Sequence, residues 1–179
     1  ATAVFGVYFK LNSFIFMPVF GLNNGMVPIV AYNYGARNKK RITQTIHLSI
    51  ISAVVIMLCG LALFMIFPEN LLRMFNASDA MLEIGVPALR IICLSFIFAG
   101  FCIVVGSVFQ ALGNGIYSLI VSAARQLLVI LPVAAFLAKV GGLSVVWWAI
   151  PIAEIASVLG ESLLFFTNIR IILPIPRII

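Results

Sequence analysis

Charge is what this chain has least of. Charged residues make up 9% of its 179 positions, against about 25% in ordinary soluble domains. One histidine, His47, cannot by itself assemble a metal centre or a Ser-His-Asp arrangement. No glycine-rich loop ends in lysine, which excludes ATP hydrolysis through a P-loop. The three cysteines, Cys59, Cys93 and Cys102, fall in apolar runs at no metal or redox spacing and read as small packing residues. No stretch alternates polar and apolar residues over the ten or so positions of a barrel strand, so a membrane β-barrel is excluded. No basic helix with interleaved aromatics occurs, so the net charge of +6 signals membrane topology and not nucleic-acid binding. The chain is not expected to be an enzyme, to need a cofactor or to hold a metal.

What is present is hydrophobic length. Apolar residues make up 64% of the chain, and a membrane helix needs about 20 of them in succession. Five stretches qualify: 4–34, 46–67, 88–112, 116–138 and 143–167. Between the second and third, residues 69–83 carry Leu71, Leu72 and Phe75 on one helical face and Glu69, Arg73, Asp79 and Glu83 around it, the pattern of a short interfacial helix. The fold class is an all-α membrane protein with five transmembrane helices. The chain begins at Ala1, already inside an apolar stretch, and its span count is odd, so it reads as a piece of a longer polypeptide.

The first span is too long to cross straight. At 1.5 Å per residue it would extend roughly 46 Å through a hydrocarbon core of about 30 Å. Pro18, Gly21, Gly25 and Pro28 predict a bent helix, and Gly21 and Gly25 also form a step that lets another helix approach closely. Tyr8, Asn12 and Asn23 share a helical face and can hydrogen-bond either a substrate or a neighbouring helix, the latter being the plainer use. Lys10 is expected to snorkel to one membrane surface and His47 to sit at headgroup level. The span leaves the membrane through a basic cluster, Arg37, Lys39, Lys40 and Arg41. Alternating the spans puts these four on one side with Arg170 and Arg177, where Pro174 and Pro176 end the helix. Arg73 and Lys139 lie on the other side, with Arg90 at its rim. Basic residues stay cytoplasmic, so the first side, including the C-terminus, faces inward.

Deep in the spans lie Arg125, Glu154 and Glu161. Each costs about 2.5–3.5 kcal/mol at a helix centre on insertion scales, so none should face lipid unpaired. The fourth and fifth spans are joined by a Gly141-Gly142 turn, and counting outward from it sets Arg125 within about a turn of either glutamate. Trp147, Glu154, Glu161 and Asn168 recur every seven residues, a polar stripe down one helix. Ser118, Ser122 and Arg125 share a face of the fourth span, while Ser95, Ala99, Cys102 and Gly106 form a small-residue stripe on the third, near whose end Gln110 stands. The charged trio has three possible uses: a lock between two helices, snorkelling, or ion coupling. In the last, one glutamate pairs with Arg125 while the other exchanges a proton.

The run 20–38, FGLNNGMVPIVAYNYGARN, resembles the second-lobe signature of the multidrug and toxic compound extrusion (MATE) family. Further matches follow in order: Phe67-Pro68-Glu69, then Phe109 to Gly113, Arg125-Gln126 ahead of Pro132, and Trp148 to Glu154. The resemblance covers essentially the whole chain. It implies twelve helices in two six-helix lobes, of which residues 1–179 would supply helices eight to twelve, most of the second lobe. It also implies export of small organic cations or drugs in exchange for protons or sodium, across a bacterial inner membrane. The partners implied are membrane lipids, the drug and the missing first lobe. Some members carry an aspartate in the tenth helix. Here the comparable stretch reads Phe98-Ala99-Gly100-Phe101, without an acid, so protons are expected over sodium, with Glu154 and Glu161 as the remaining carboxylates. Two rivals stand beside this reading: a lipid-linked oligosaccharide flippase of the same superfamily, which should show more deep cations than Arg125, and a non-transporting membrane packing subunit.

Overall fold

The computed structural model describes residues 2–172, with side chains for 5–142 and 145–167. Those residues form an all-helical bundle without strands. Its helices are α1 (Thr2–Gly35), α2 (Lys39–Ile66), α3 (Pro68–Arg73), α4 (Asp79–Ile92), α5 (Phe96–Ala111), α6 (Gly115–Ala124), α7 (Leu131–Gly141), α8 (Leu143–Val146) and α9 (Ala149–Ile172). A 3-10 turn, Cys93–Ser95, joins α4 to α5, and a π-helical segment, Arg125–Ile130, joins α6 to α7. Five stretches are long and apolar enough to cross a membrane: Phe5–Gly35, Lys39–Ile66, Asp79–Ala111, Gly115–Gly141 and Ala149–Thr167.

Span ends differ from the hydrophobic runs because capping and period, not hydropathy, decide where a helix starts. α2 begins at Lys39, inside the basic cluster, because the side chain of Asn38 accepts a hydrogen bond from the Arg41 N–H at 3.2 Å. The third membrane helix begins at Asp79, not 88. Ser78 is extended there, and its carbonyl takes the N–H groups of Met81 and Leu82 at 2.9 Å. Leu82, Gly85, Ala88, Leu89 and Ile92 then continue one buried stripe. Of residues 69–83, α3 takes the first five, with an exposed Glu69–Arg73 ion pair at 2.8 Å, and α4 takes those from Asp79 onward. The fifth span begins at Ala149, after the separate turn α8. Pro174, Pro176 and Arg177 lie outside the described residues, as do the side chains of Asn168 and Arg170.

α4–α5 is the centre of the bundle. In its most apolar stretch 61% is buried, against 6% for the α6–α7 span. It packs against α1, α2, α6 and α9. Phe96 meets Phe16 of α1 and Phe64 of α2 edge-on, with ring centroids 5.7 and 5.1 Å apart. α2 crosses where Gly100 leaves room, since a Cβ there would stand 2.8 Å from Met57 Cγ.

α1 runs through both prolines as one helix. Tyr8, Leu11, Val19, Asn23, Met26 and Val30 turn inward, while Pro18, Gly21, Gly25 and Pro28 are all exposed on the opposite face. Nothing lies within 4 Å of a Cβ built on Gly21 or Gly25, so the expected close helix approach is not made at these glycines among the described residues. Lys10 is exposed and holds its ammonium 5.9 Å from the centroid of the Phe75 ring, which ties α1 to the loop after α3. His47 and Cys59 are exposed, and Cys93 and Cys102 are buried free thiols.

Candidate functional site

Five of the seven residues expected to bind substrate or couple an ion meet in one cavity. It has a volume of about 480 Å³ and is walled by α1, α5, α6 with the π segment, and α9. Asn23, Gln110, Arg125, Glu154 and Glu161 all line it. Tyr8 and Asn12 do not. Tyr8 is buried just beyond, within electrostatic reach of Glu154 and Arg125, and meets Phe5 at a tilt, with Phe5 itself stacked on Trp147. Asn12 keeps a buried Oδ1 with no hydrogen-bond partner.

The polar stripe on α9 forms one wall of this cavity. Glu154 and Glu161 are both buried, at 5–6% exposure, as a seven-residue period on one face requires, while Trp147, expected on the same stripe, is buried in the turn ahead of α9. Arg125 donates from Nη1 to Glu154 Oε1. The two ends of this ion pair differ in freedom: the Arg125 side chain is 33% exposed, that of Glu154 7%. The other carboxylate oxygen of Glu154 is buried and receives no hydrogen bond, and the same holds for Glu161 Oε2 and for Ser157 Oγ. Ser157 lies three residues after Glu154 and four before Glu161, so it belongs to the same stripe. Sequence reasoning passed over it, although that spacing was enough to find it.

The facing walls supply close approach and hydrogen bonds. The small-residue stripe of α5 does two jobs: Ser95 bonds back to the Ile92 carbonyl at 2.6 Å, while Ala99, Cys102 and Gly106 line the cavity. Without a side chain at Gly106, the hydroxyl of Ser118 and the carboxylate of Glu161 come to 3.1 and 3.6 Å from where its Cβ would be. The Cys102 thiol is a hydrogen-bond neighbour of Glu161. Gln110 donates to Ser118 Oγ at 3.4 Å. Asn23 donates to the Ile103 carbonyl at 3.4 Å and leaves its Oδ1 buried without a partner. Ser122, beside Arg125, completes the polar face of the fourth span, and Phe16 and Phe20 of α1 give the cavity an aromatic edge.

Arg125 stands where the helix changes type. Pro132 lacks an N–H and crowds the carbonyl four residues back, which weakens the regular α-helical ladder through 128–132. The chain answers with the wider π turn from Arg125 to Ile130. Among the described residues no group of three or more His, Cys, Asp or Glu side chains could hold a metal ion. The site is thus two carboxylates, one guanidinium and a set of hydroxyl and amide groups, an arrangement suited to binding a cation or a proton.

Comparison with known proteins gives one consistent result. The MatE family model matches residues 1–136. The multidrug export protein MepA of Staphylococcus aureus is 30% identical over 167 residues, which is 93% of this chain and 36% of that protein. A structure of the MATE multidrug transporter DinF-BH in complex with R6G is 36% identical with a TM-score of 0.85, over 96% of this chain and 38% of that one. An inward-facing MATE family transporter shares the fold at 22% identity with a TM-score of 0.89, over 97% of this chain and 41% of that one. The chain thus spans about a third of the length of the curated relatives it matches.

Proposed function

The chain belongs to the MatE family, and from that membership we propose that it forms most of the second six-helix lobe of a multidrug efflux antiporter. The transported molecules are small organic cations or drugs, as the printed names of the relatives suggest for those proteins. The observation that carries this reading is the cavity whose wall brings two buried carboxylates together with a single guanidinium among its lining residues. With both carboxylates ionised it holds one more negative charge than positive. Burying that excess is costly unless a cation or a proton offsets it, and a flippase for a pyrophosphate-linked lipid would need the opposite balance.

Coupling follows from the same chemistry. Organic cation and proton are alternatives at Glu154 and Glu161: a proton removes the charge that holds the drug, and the drug leaves from whichever side the cavity then faces. Alternating access comes from this lobe rocking against a first lobe, with ligand and proton each favouring a different arrangement. The acid-free stretch Phe98 to Phe101 favours protons over sodium in this reading. The setting is a bacterial inner membrane with the basic face and the C-terminus inside.

The test is export of a fluorescent organic cation from cells making the full-length protein with Glu154→Gln or Glu161→Gln. Export should fall and lose its dependence on external pH between about 6 and 8. Unchanged export in both variants across that range would sink the coupling assignment.

A further inference from the structure

The Arg125–Glu154 pair has two readings with opposite consequences. As a static lock it would hold the α6–α7 span to α9, and its loss would loosen the lobe. Three observations favour a different role. The anion end is fixed and buried, while the cation end is a third exposed on a flexible side chain. Arg125 begins a π-helical segment that packs along α9 but in which no residue is buried, within the least buried of the five spans, so its side chain has room to leave Glu154. Glu154 Oε2, Ser157 Oγ and Glu161 Oε2 are buried acceptors with no protein donor, all on the cavity face of α9. The one guanidinium lining the cavity therefore satisfies a single oxygen of a site that offers several more.

We propose that Arg125 is a tethered competitor: its guanidinium and the charged group of a cationic ligand are alternative occupants of the α9 carboxylates. A ligand cation entering the cavity displaces Arg125 from Glu154. The guanidinium then swings on its own side chain toward its exposed end, and returns when the ligand leaves. The site is never left with two unpaired buried carboxylates, so binding can be weak enough for release. Arg125 thus sets affinity and turnover in opposite directions. This rests on the exporter reading above and adds to it a specificity-determining residue of stated sign.

The experiment measures binding of rhodamine 6G by fluorescence polarisation to the full-length protein in detergent, alongside its export in cells. Arg125→Gln should bind the dye about 5-fold tighter or more, the lower end of ordinary coupling between sites, and export it more slowly. In Arg125→Ala, a few millimolar guanidinium chloride should compete with the dye, while wild type responds little because the tethered group already fills the site. Arg125→Lys, a monodentate point charge, should lie between wild type and Arg125→Gln, and it keeps the test alive if the neutral variants do not fold. Equal or weaker dye binding in a folded Arg125→Gln or Arg125→Lys variant, or equal guanidinium sensitivity in wild type and Arg125→Ala, overturns the proposal and leaves the exporter reading standing. No dye binding by wild type overturns both.

Discussion

At Gly106 the missing side chain is what the site is built around. A Cβ there would lie 3.1 Å from Ser118 Oγ and 3.6 Å from Glu161 Oε1, so glycine lets α5 approach both polar walls without crowding them. Gly106→Ala should be tolerated with a shift of a few tenths of an ångström. Gly106→Val must push Ser118 or Glu161 aside, an over-packing cost of about 1–3 kcal/mol. We expect the valine variant to bind a fluorescent cation at least several-fold more weakly than the alanine variant, read by fluorescence polarisation. Equal affinities would mean that this wall does not face the ligand. The glycine was visible in sequence as part of a small-residue stripe, but not as a cavity wall, because whether such a stripe packs or opens depends on what stands opposite.

At the scale of elements, local chemistry placed the ends and tertiary context placed the irregularities. The Asn38 side chain caps α2 with three basic residues in the first turn, against the positive end of the helix dipole. That mismatch makes the cap matter: Asn38→Ala should lower stability by about 1 kcal/mol, seen as a lower melting temperature in detergent. Pro132 governs the π segment. Pro132→Ala restores the donor, lets the α-helical ladder close and turns Arg125 relative to α9. The expected result is a melting temperature that does not fall, together with reduced export. Export at the wild-type rate would detach the π turn from function. In α1, the prolines and glycines marked in sequence as bend points share one exposed face. Periodicity alone gives that relation, since positions 18, 21, 25 and 28 are three and four residues apart.

For the whole molecule, charge is divided as sharply as hydropathy. The six basic residues at 37, 39, 40, 41, 170 and 177 account for the net charge of +6, since the other five basic residues are matched by five carboxylates. By span alternation those six share one membrane side and none of the carboxylates does. A cysteine introduced at Ala36, in a background with Cys59→Ser, should react with an impermeant maleimide in inside-out vesicles and be protected in intact cells. Replacing Arg37, Lys39, Lys40 and Arg41 together should blur that difference. Labelling from the outside in the wild-type background would reverse the assigned orientation. The large apolar side chains exposed on α6, the π segment and α7, such as Leu119, Leu128 and Phe136, do not call for a protein partner, because lipid is as apolar as a helix interface.

The sequence by itself determined the five spans, the all-helical class, the inward stripe of α9 and the family, because hydropathy, helical period and ordered motifs are local quantities written along the chain. It also put Arg125 within a turn of both glutamates, since a short glycine turn fixes the relative depth of consecutive antiparallel helices. It could not choose between them. The tertiary structure paired Arg125 with Glu154, left Glu161 beside Gly106 and Cys102, drew Asn23 and Gln110 to the same cavity and kept Tyr8 and Asn12 outside it. Those choices depend on helix rotation and on the π turn ahead of Pro132, where one widened turn redirects every side chain that follows. Rotation is set by what each helix packs against. That is a property of the assembled bundle and of no single segment.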